Sequence, residues 1–288
     1  MTKKKFLAAL STAAITTSLL ATTAFAATTP EWNNNGGQAT GEGGGEVRVP
    51  VIEVEVPLEL PFAVNPYKLN LAEEGDAITD QIWSDNYMII NHSEVPVAVK
   101  TESYATVGSD VTLESAVATD TESKKFIGAD ATKKGVMLGM QFATDIALAN
   151  DAYTIDYGDK LRFDAETPAT GETAITNEAS LQAKNGLLLG SGDTNKEEAT
   201  FVLGTEAVEA DVAKGVNAAA FKYVGAVNDS TTEVYADEDL KVTTVYTLSV
   251  LAGDDVTVTT NKISAVKGYE AAATGDNAQG ALNVWKKS

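Results

Sequence analysis

The chain has a single histidine, His92, and no cysteine among its 288 residues. Any serine-hydrolase device would therefore have to use His92 as its base, with Ser93 beside it or a distant serine as nucleophile. The setting argues otherwise. Asn91-His92-Ser93 is good turn chemistry in itself. No G-x-S-x-G occurs, and Ser191, in Gly190-Ser191-Gly192, lacks the flanks of a nucleophile elbow. Without cysteine there is no disulfide, thiolate nucleophile or Cys-ligated metal, and one histidine excludes a multi-His metal site within the chain. The Gly190–Gly192 and Gly43–Gly45 runs are not followed by Lys-Ser/Thr at the spacing of a phosphate loop.

Carboxylates are the remaining reactive groups, with 41 Asp and Glu against 21 Lys and Arg and a net charge of −20. A glycosidase pair could be drawn from them, but sugar clefts need aromatic platforms, and aromatics make up only 7% of the chain, with three Trp. Asp193-Thr194-Asn195-Lys196-Glu197 starts like a calcium loop. It then fails, because Glu198 stands where the loop needs Gly and Gly204 where it needs the bidentate Glu. Asp237-Glu238-Asp239 and Gly253-Asp254-Asp255 are further oxygen-rich turns. We read the acids as a solvated surface, with weak calcium binding at such a turn as the one cofactor left open. The acidity also argues against nucleic acid, whose phosphates need clustered Lys and Arg. The expectation is a protein without enzymatic activity. The sequons Asn91-His92-Ser93 and Asn228-Asp229-Ser230 are read as chance.

The chain opens as an export signal. Lys3, Lys4 and Lys5 precede an apolar Phe6–Leu20 segment, and Ala24-Phe25-Ala26 fits the small-x-small cleavage rule. The apolar run is diluted with Thr and Ser and is short of the roughly 20 residues that span a bilayer. Cutting after Ala26 removes three lysines and no acid, which takes the charge from −20 to −23 over 262 residues. Residues 27–46, rich in Gly and Asn, read as a flexible leader. The absence of cysteine in an exported protein favours a Gram-positive cell over a periplasm.

From residue 47 the composition changes. Ile52, Val54, Val56, Leu58, Leu60 and Phe62 alternate with Glu53, Glu55, Pro57, Glu59 and Pro61, so one face is apolar and the other charged. Prolines cannot donate to a ladder, so the 47–64 segment reads as an edge strand, or as a donor strand hung on the leader. Further strands are expected at 81–91, 95–99, 111–117, 135–143, 152–157, 160–163, 187–189, 200–203, 218–227, 240–252, 256–260 and 281–285. Of these, 135–143 reads as central and 240–252 as a long core strand. Two hairpins are expected, one turning at His92-Ser93-Glu94 and one at Gly158-Asp159. A single short helix is expected over 205–215, from an N-cap Thr, an acidic first turn and a closing Gly. Residues 119–134 and 164–200 read as loops. Many short strands with little helix give an all-β class, a jelly-roll or Ig-like β-sandwich over 47–288.

The segment Tyr87-Met88-Ile89-Ile90-Asn91-His92-Ser93-Glu94-Val95-Pro96-Val97-Ala98-Val99 resembles the TasA/camelysin group of biofilm-matrix fibre subunits. That resemblance implies a secreted, jelly-roll-like subunit that polymerises with itself. It transfers no catalytic residue, because no H-E-x-x-H is present. The expectation is a secreted or cell-surface structural subunit whose partner is itself, with cell-wall or matrix components beside it. An adhesin or glycan-binding module is the alternative. Ile52, Val54, Val56, Leu58, Leu60 and Phe62 are the expected assembly residues.

Overall fold

A computed structural model describes residues 12–15, 52–64, 81–120, 125–127, 134–149, 152–163, 170–205, 216–228, 239–259, 262–271 and 284–288. The class is all-β. Two antiparallel-dominated sheets of nine and seven strands carry the described chain.

The first sheet runs Thr12–Ile15, Val54–Pro57, Tyr87–Asn91, Ala218–Val227, Lys134–Phe142, Gly186–Leu188. Ile82–Ser84 also pairs with Ala218–Val227 and carries Phe62–Val64 on its far side, and Val111–Leu113 lies parallel to Lys134–Phe142. The second sheet runs Leu240–Val250, Val97–Val107, Glu197–Leu203, Val284–Lys287, Tyr269–Ala271, Lys262–Val266, Val256–Thr259.

Lys134–Phe142 and Ala218–Val227 are the centre of the first sheet, and their sequences show why. Both are near-continuous small and apolar runs, buried along almost their whole length. A strand covered on both faces has no use for alternation. Its inner face meets the second sheet through Phe201, Phe221, Phe142 and Tyr223, with the Phe142 and Phe201 rings edge-to-face at 5.6 Å. Its outer face is covered twice. The hairpin Asp145–Ala149/Ala152–Asp156 lies over Ile90, Ala218 and Ala220, and Leu161, Phe163, Ile175 and Leu181 lie over Met137, Val224 and Ala226. Each such apolar side chain contributes roughly 1.5–3 kcal/mol on burial. Gly225 is fixed by close approach: a Cβ there would stand 2.0 Å from the Met137 carbonyl oxygen.

Several local expectations change. The turn at 92–94 does not close a hairpin, because Tyr87–Asn91 belongs to the first sheet and Val97–Val107 to the second. The chain arches from one sheet to the other. Gly158-Asp159 does not close one either: Ala152–Asp156 pairs back to Asp145–Ala149, while Lys160–Arg162 runs parallel to Glu172–Ala174. Gly158 has φ +74°, so its positive φ serves to redirect the chain between two layers. The α-helix described is Glu178–Gln182, inside the stretch read as loop. Asn177 caps it, its Oδ1 accepting from the Ser180 amide while Ser180 Oγ accepts from the Asn177 amide. The helix expected over 205–215 lies outside the described residues beyond Thr205. The 119–134 stretch contains a two-stranded ribbon, Ala118–Asp120 with Lys125–Ile127.

Candidate functional site

The single strand expected over 47–64 is two strands. Val54–Pro57 pairs with Tyr87–Asn91, and Phe62–Val64 pairs with Ile82–Ser84. Pro57, the bend at Leu58 and Pro61 interrupt the ladder, since proline has no amide hydrogen to give. The six alternating residues do not share one apolar face. Val54 and Val56 are buried in the chain's own core, Ile52, Leu60 and Phe62 are half-buried against it, and Leu58 is 52% exposed. The break at 58–61 turns Leu58 away from its neighbours. On the other side of Val54–Pro57 lies Thr12–Ile15, in the register Thr12↔Pro57, Ala13↔Val56, Ala14↔Glu55, Ile15↔Val54.

Leu240–Val250 is the element that sequence reasoning places wrongly. It is an edge strand. It pairs with Val97–Val107 over eleven residues without a register shift. Among the described residues no strand pairs with its other side. Its residues alternate: Lys241, Thr243, Val245, Thr247 and Ser249 are exposed, while Val242, Thr244, Tyr246 and Leu248 turn inward and are half-buried. The interior strand Val97–Val107, paired on both sides, alternates as well, so the pattern alone does not mark the edge.

The usual protections of an edge are missing from this strand. It has no Pro, no bulge and no Asp or Glu, and its one charge is Lys241. In a chain with 41 acids that is a bare stretch. Val245 and Val250 are each 49% exposed. The other end of the same sheet is short and bulged, with Val256–Thr259 shifting register between Thr257 and Val258.

The strand is held firmly from behind. Ser103 Oγ and Thr244 Oγ1 are 2.9 Å apart across the ladder. At its start, Lys134 Nζ lies 3.3 Å from Asp239 Oδ2 and 3.1 Å from Asp110 Oδ2. Burial opposes the Lys134 charge, but the two carboxylates outweigh it and hold the ammonium pKa above the ordinary lysine value. Below the strand sits a group of tyrosines. Burial pushes Tyr87 up to about 12, and its hydroxyl donates to the Pro61 carbonyl. Burial also raises Tyr223, against the opposing effect of the Thr244 hydroxyl, and raises Tyr246, with Tyr223 and Tyr87 adding to it. The Tyr223 ring meets Phe62 edge-to-face at 5.4 Å. The N-terminal strands and the Leu240–Val250 edge thus rest on one aromatic floor.

The residues singled out for chemistry are dispersed. His92 Nε2 faces Glu55 Oε2 at 3.4 Å on the surface. Ser93 Oγ accepts from the Glu53 amide at 2.8 Å and donates to the Glu53 carbonyl at 3.2 Å. Ser191 forms a bridge to Ala105 in the other direction of the fold. Asp193–Asn195 is a 3-10 turn with Lys196 Nζ 3.2 Å from Glu102 Oε1. Asp255 Oδ1 meets Lys267 Nζ at 3.1 Å. Among the described residues, no three His, Asp or Glu side chains come together as a metal site. No helix among them is long and apolar enough to cross a membrane. No family model, curated protein or solved structure matches this chain.

Proposed function

We propose that the chain is a secreted structural subunit that assembles with itself into extracellular fibres or a cell-surface matrix. The observation that carries this reading is the Leu240–Val250 edge: eleven residues, unbulged and free of acid. An edge of that kind is a template for another strand, and proteins that stay monomeric normally blunt it. Main-chain hydrogen bonds would supply the attraction and Val245 and Val250 apolar contact. The export signal and the likeness of Tyr87–Val99 to matrix fibre subunits point the same way.

Exchange of the whole 47–64 segment between subunits is the less favourable route. It would draw Val54 and Val56 out of the core in which they are buried, at roughly 1.5–3 kcal/mol each before the new site is filled. Edge-to-edge addition leaves both cores intact. Electron microscopy and light scattering of the exported protein test the reading. Filaments or ladders of oligomers are expected. A monodisperse monomer at every protein and salt concentration would overturn it and favour an adhesin or glycan-binding module.

A further inference from the structure

The outer side of Val54–Pro57 is a further strand-accepting edge among the described residues. Four residues, Thr12–Ile15, occupy it in an antiparallel ladder. Those residues lie within the segment read as the export signal, so cleavage after Ala26 would remove them. The first sheet would then end at Val54–Pro57, bare along the side that Thr12–Ile15 now covers. Three candidates to replace it can be compared. The chain's own 27–46 leader is rich in Gly and Asn, which are depleted in strands. The same edge of a second copy would bring Glu53, Glu55 and Glu59 beside their own counterparts, and like charges opposite one another across a ladder are destabilising. Leu240–Val250 of a second copy has no acid to repel them, carries Lys241, and lacks a partner among the described residues.

We infer that the vacated edge of Val54–Pro57 pairs with Leu240–Val250 of a second copy, and that Thr12–Ile15 holds the place until the export signal is cut away. The inference rests on the reading of the chain as an exported, self-assembling subunit. It adds which edges meet and what releases them. The contact is between unlike edges, so it repeats as a filament or closes as a ring or pair according to the rotation between copies.

The chain has no cysteine, so single cysteines report the contact without background. Glu55→Cys is mixed with Thr243→Cys, Val245→Cys or Thr247→Cys, all as exported, processed protein, and the mixtures are oxidised. At least one mixture should give a mixed-disulfide dimer about tenfold more abundant than either variant alone. The uncleaved 288-residue chain, with its export signal intact, should lose that product. Thr243→Glu/Thr247→Glu, with the fold checked by circular dichroism, should abolish it too. Mixtures that cross-link no better than single variants would overturn the inference, and so would equal cross-linking in the uncleaved chain. Filaments without the mixed disulfide would sink the inference and leave self-assembly standing. Mixed disulfides confined to closed dimers would support the inference and remove the fibre.

Discussion

Asn91 is the residue on which the passage between the sheets turns. Its Nδ2 donates to the carbonyls of Val95 and Gly204 at 2.9 and 2.7 Å, and its Oδ1 accepts from the Ser93 amide at 3.0 Å. Its own carbonyl accepts from Asn217 Nδ2, and its amide donates to the Asn217 carbonyl. Every one of these groups is withdrawn from water, so losing a partner costs the desolvation of those left behind. Asn91→Asp sets a carboxylate against two carbonyl oxygens and should destabilise the fold by about 3 kcal/mol, read as a lowered urea midpoint. The neighbouring His92→Ala should change stability by less than about 0.5 kcal/mol and leave assembly unaltered. A large loss of assembly in a folded His92→Ala protein would revive a catalytic or switching histidine. The sequence marks Asn91-His92-Ser93 as a turn, and it is one. It does not mark the destination, because the same local hydrogen bonds serve a hairpin and an arch; the choice is made by Gly204 and Asn217, more than a hundred residues away.

At the scale of elements, the strands that read as continuous apolar runs are central, while alternation is shared by the edge strand Leu240–Val250 and the interior strand Val97–Val107. Lys134–Phe142 and Ala218–Val227 are legible because burial on both faces leaves a mark on every residue. Leu240–Val250 is legible as a strand but not as an edge, since alternation states only that one face is wet. What lies beyond the last ladder is a property of the whole sheet. In the 160–182 layer the strand Lys160–Arg162 is legible, but Glu172–Ala174 and the helix Glu178–Gln182 are not, because Ile175 and Leu181 are too sparse to show a period. Gly225→Ala tests the central ladder. The added methyl would meet backbone at 2.0 Å, and overpacking of this kind should cost about 3 kcal/mol, checked by the thermal midpoint. The tyrosine floor gives a second expectation. Tyr87, Tyr157, Tyr223 and Tyr246 all have folded pKa values above the ordinary 10.0, burial being the leading cause in each. The unfolded chain therefore ionises first. Stability is intact below pH 10 and is lost as pH rises through the folded values, by about 1.4 kcal/mol per pH unit for each such tyrosine. Lys134, with its raised pKa, acts in the same direction. The urea midpoint should hold up to about pH 10 and fall between pH 10 and 12, and Tyr246→Phe should make that fall shallower. A midpoint unchanged over that range would show that these hydroxyls are not buried.

For the whole molecule, charge governs how copies meet. At −20, or −23 after cleavage behind Ala26, copies of the chain repel one another, and the repulsion decays over a Debye length of about 8 Å at physiological ionic strength. Added salt, divalent cations, and acidification into the carboxylate range should each promote association. The acid window has a lower limit in stability. Glu102 is held below its ordinary value by hydrogen bonds from Lys100 first and Lys196 second, and Asp159 by Thr173 and Lys184. Their contribution is present above the unfolded pKa and is lost as pH falls through the depressed folded value. Association should therefore rise as pH drops toward the ordinary glutamate range and then give way to unfolding below it. Light scattering that stays flat with salt, divalent cations and acid would contradict this role for the charge.

The pairing of Val97–Val107 with Leu240–Val250 also sets a clock. Ser103 and Thr244, which face each other across that ladder, are 141 residues apart in the chain. A contact of that span is slow to form, because closing so large a loop precedes any return from it. On the proposed export route, with the N-terminus leaving first, Val97–Val107 would emerge long before its partner does. The protein would then spend most of its translocation with this eleven-residue ladder half built. The proposed assembly edge would come into being only when nearly all of the polypeptide is outside, so a stalled or truncated chain would present the wrong edge, that of Val97–Val107, to its neighbours.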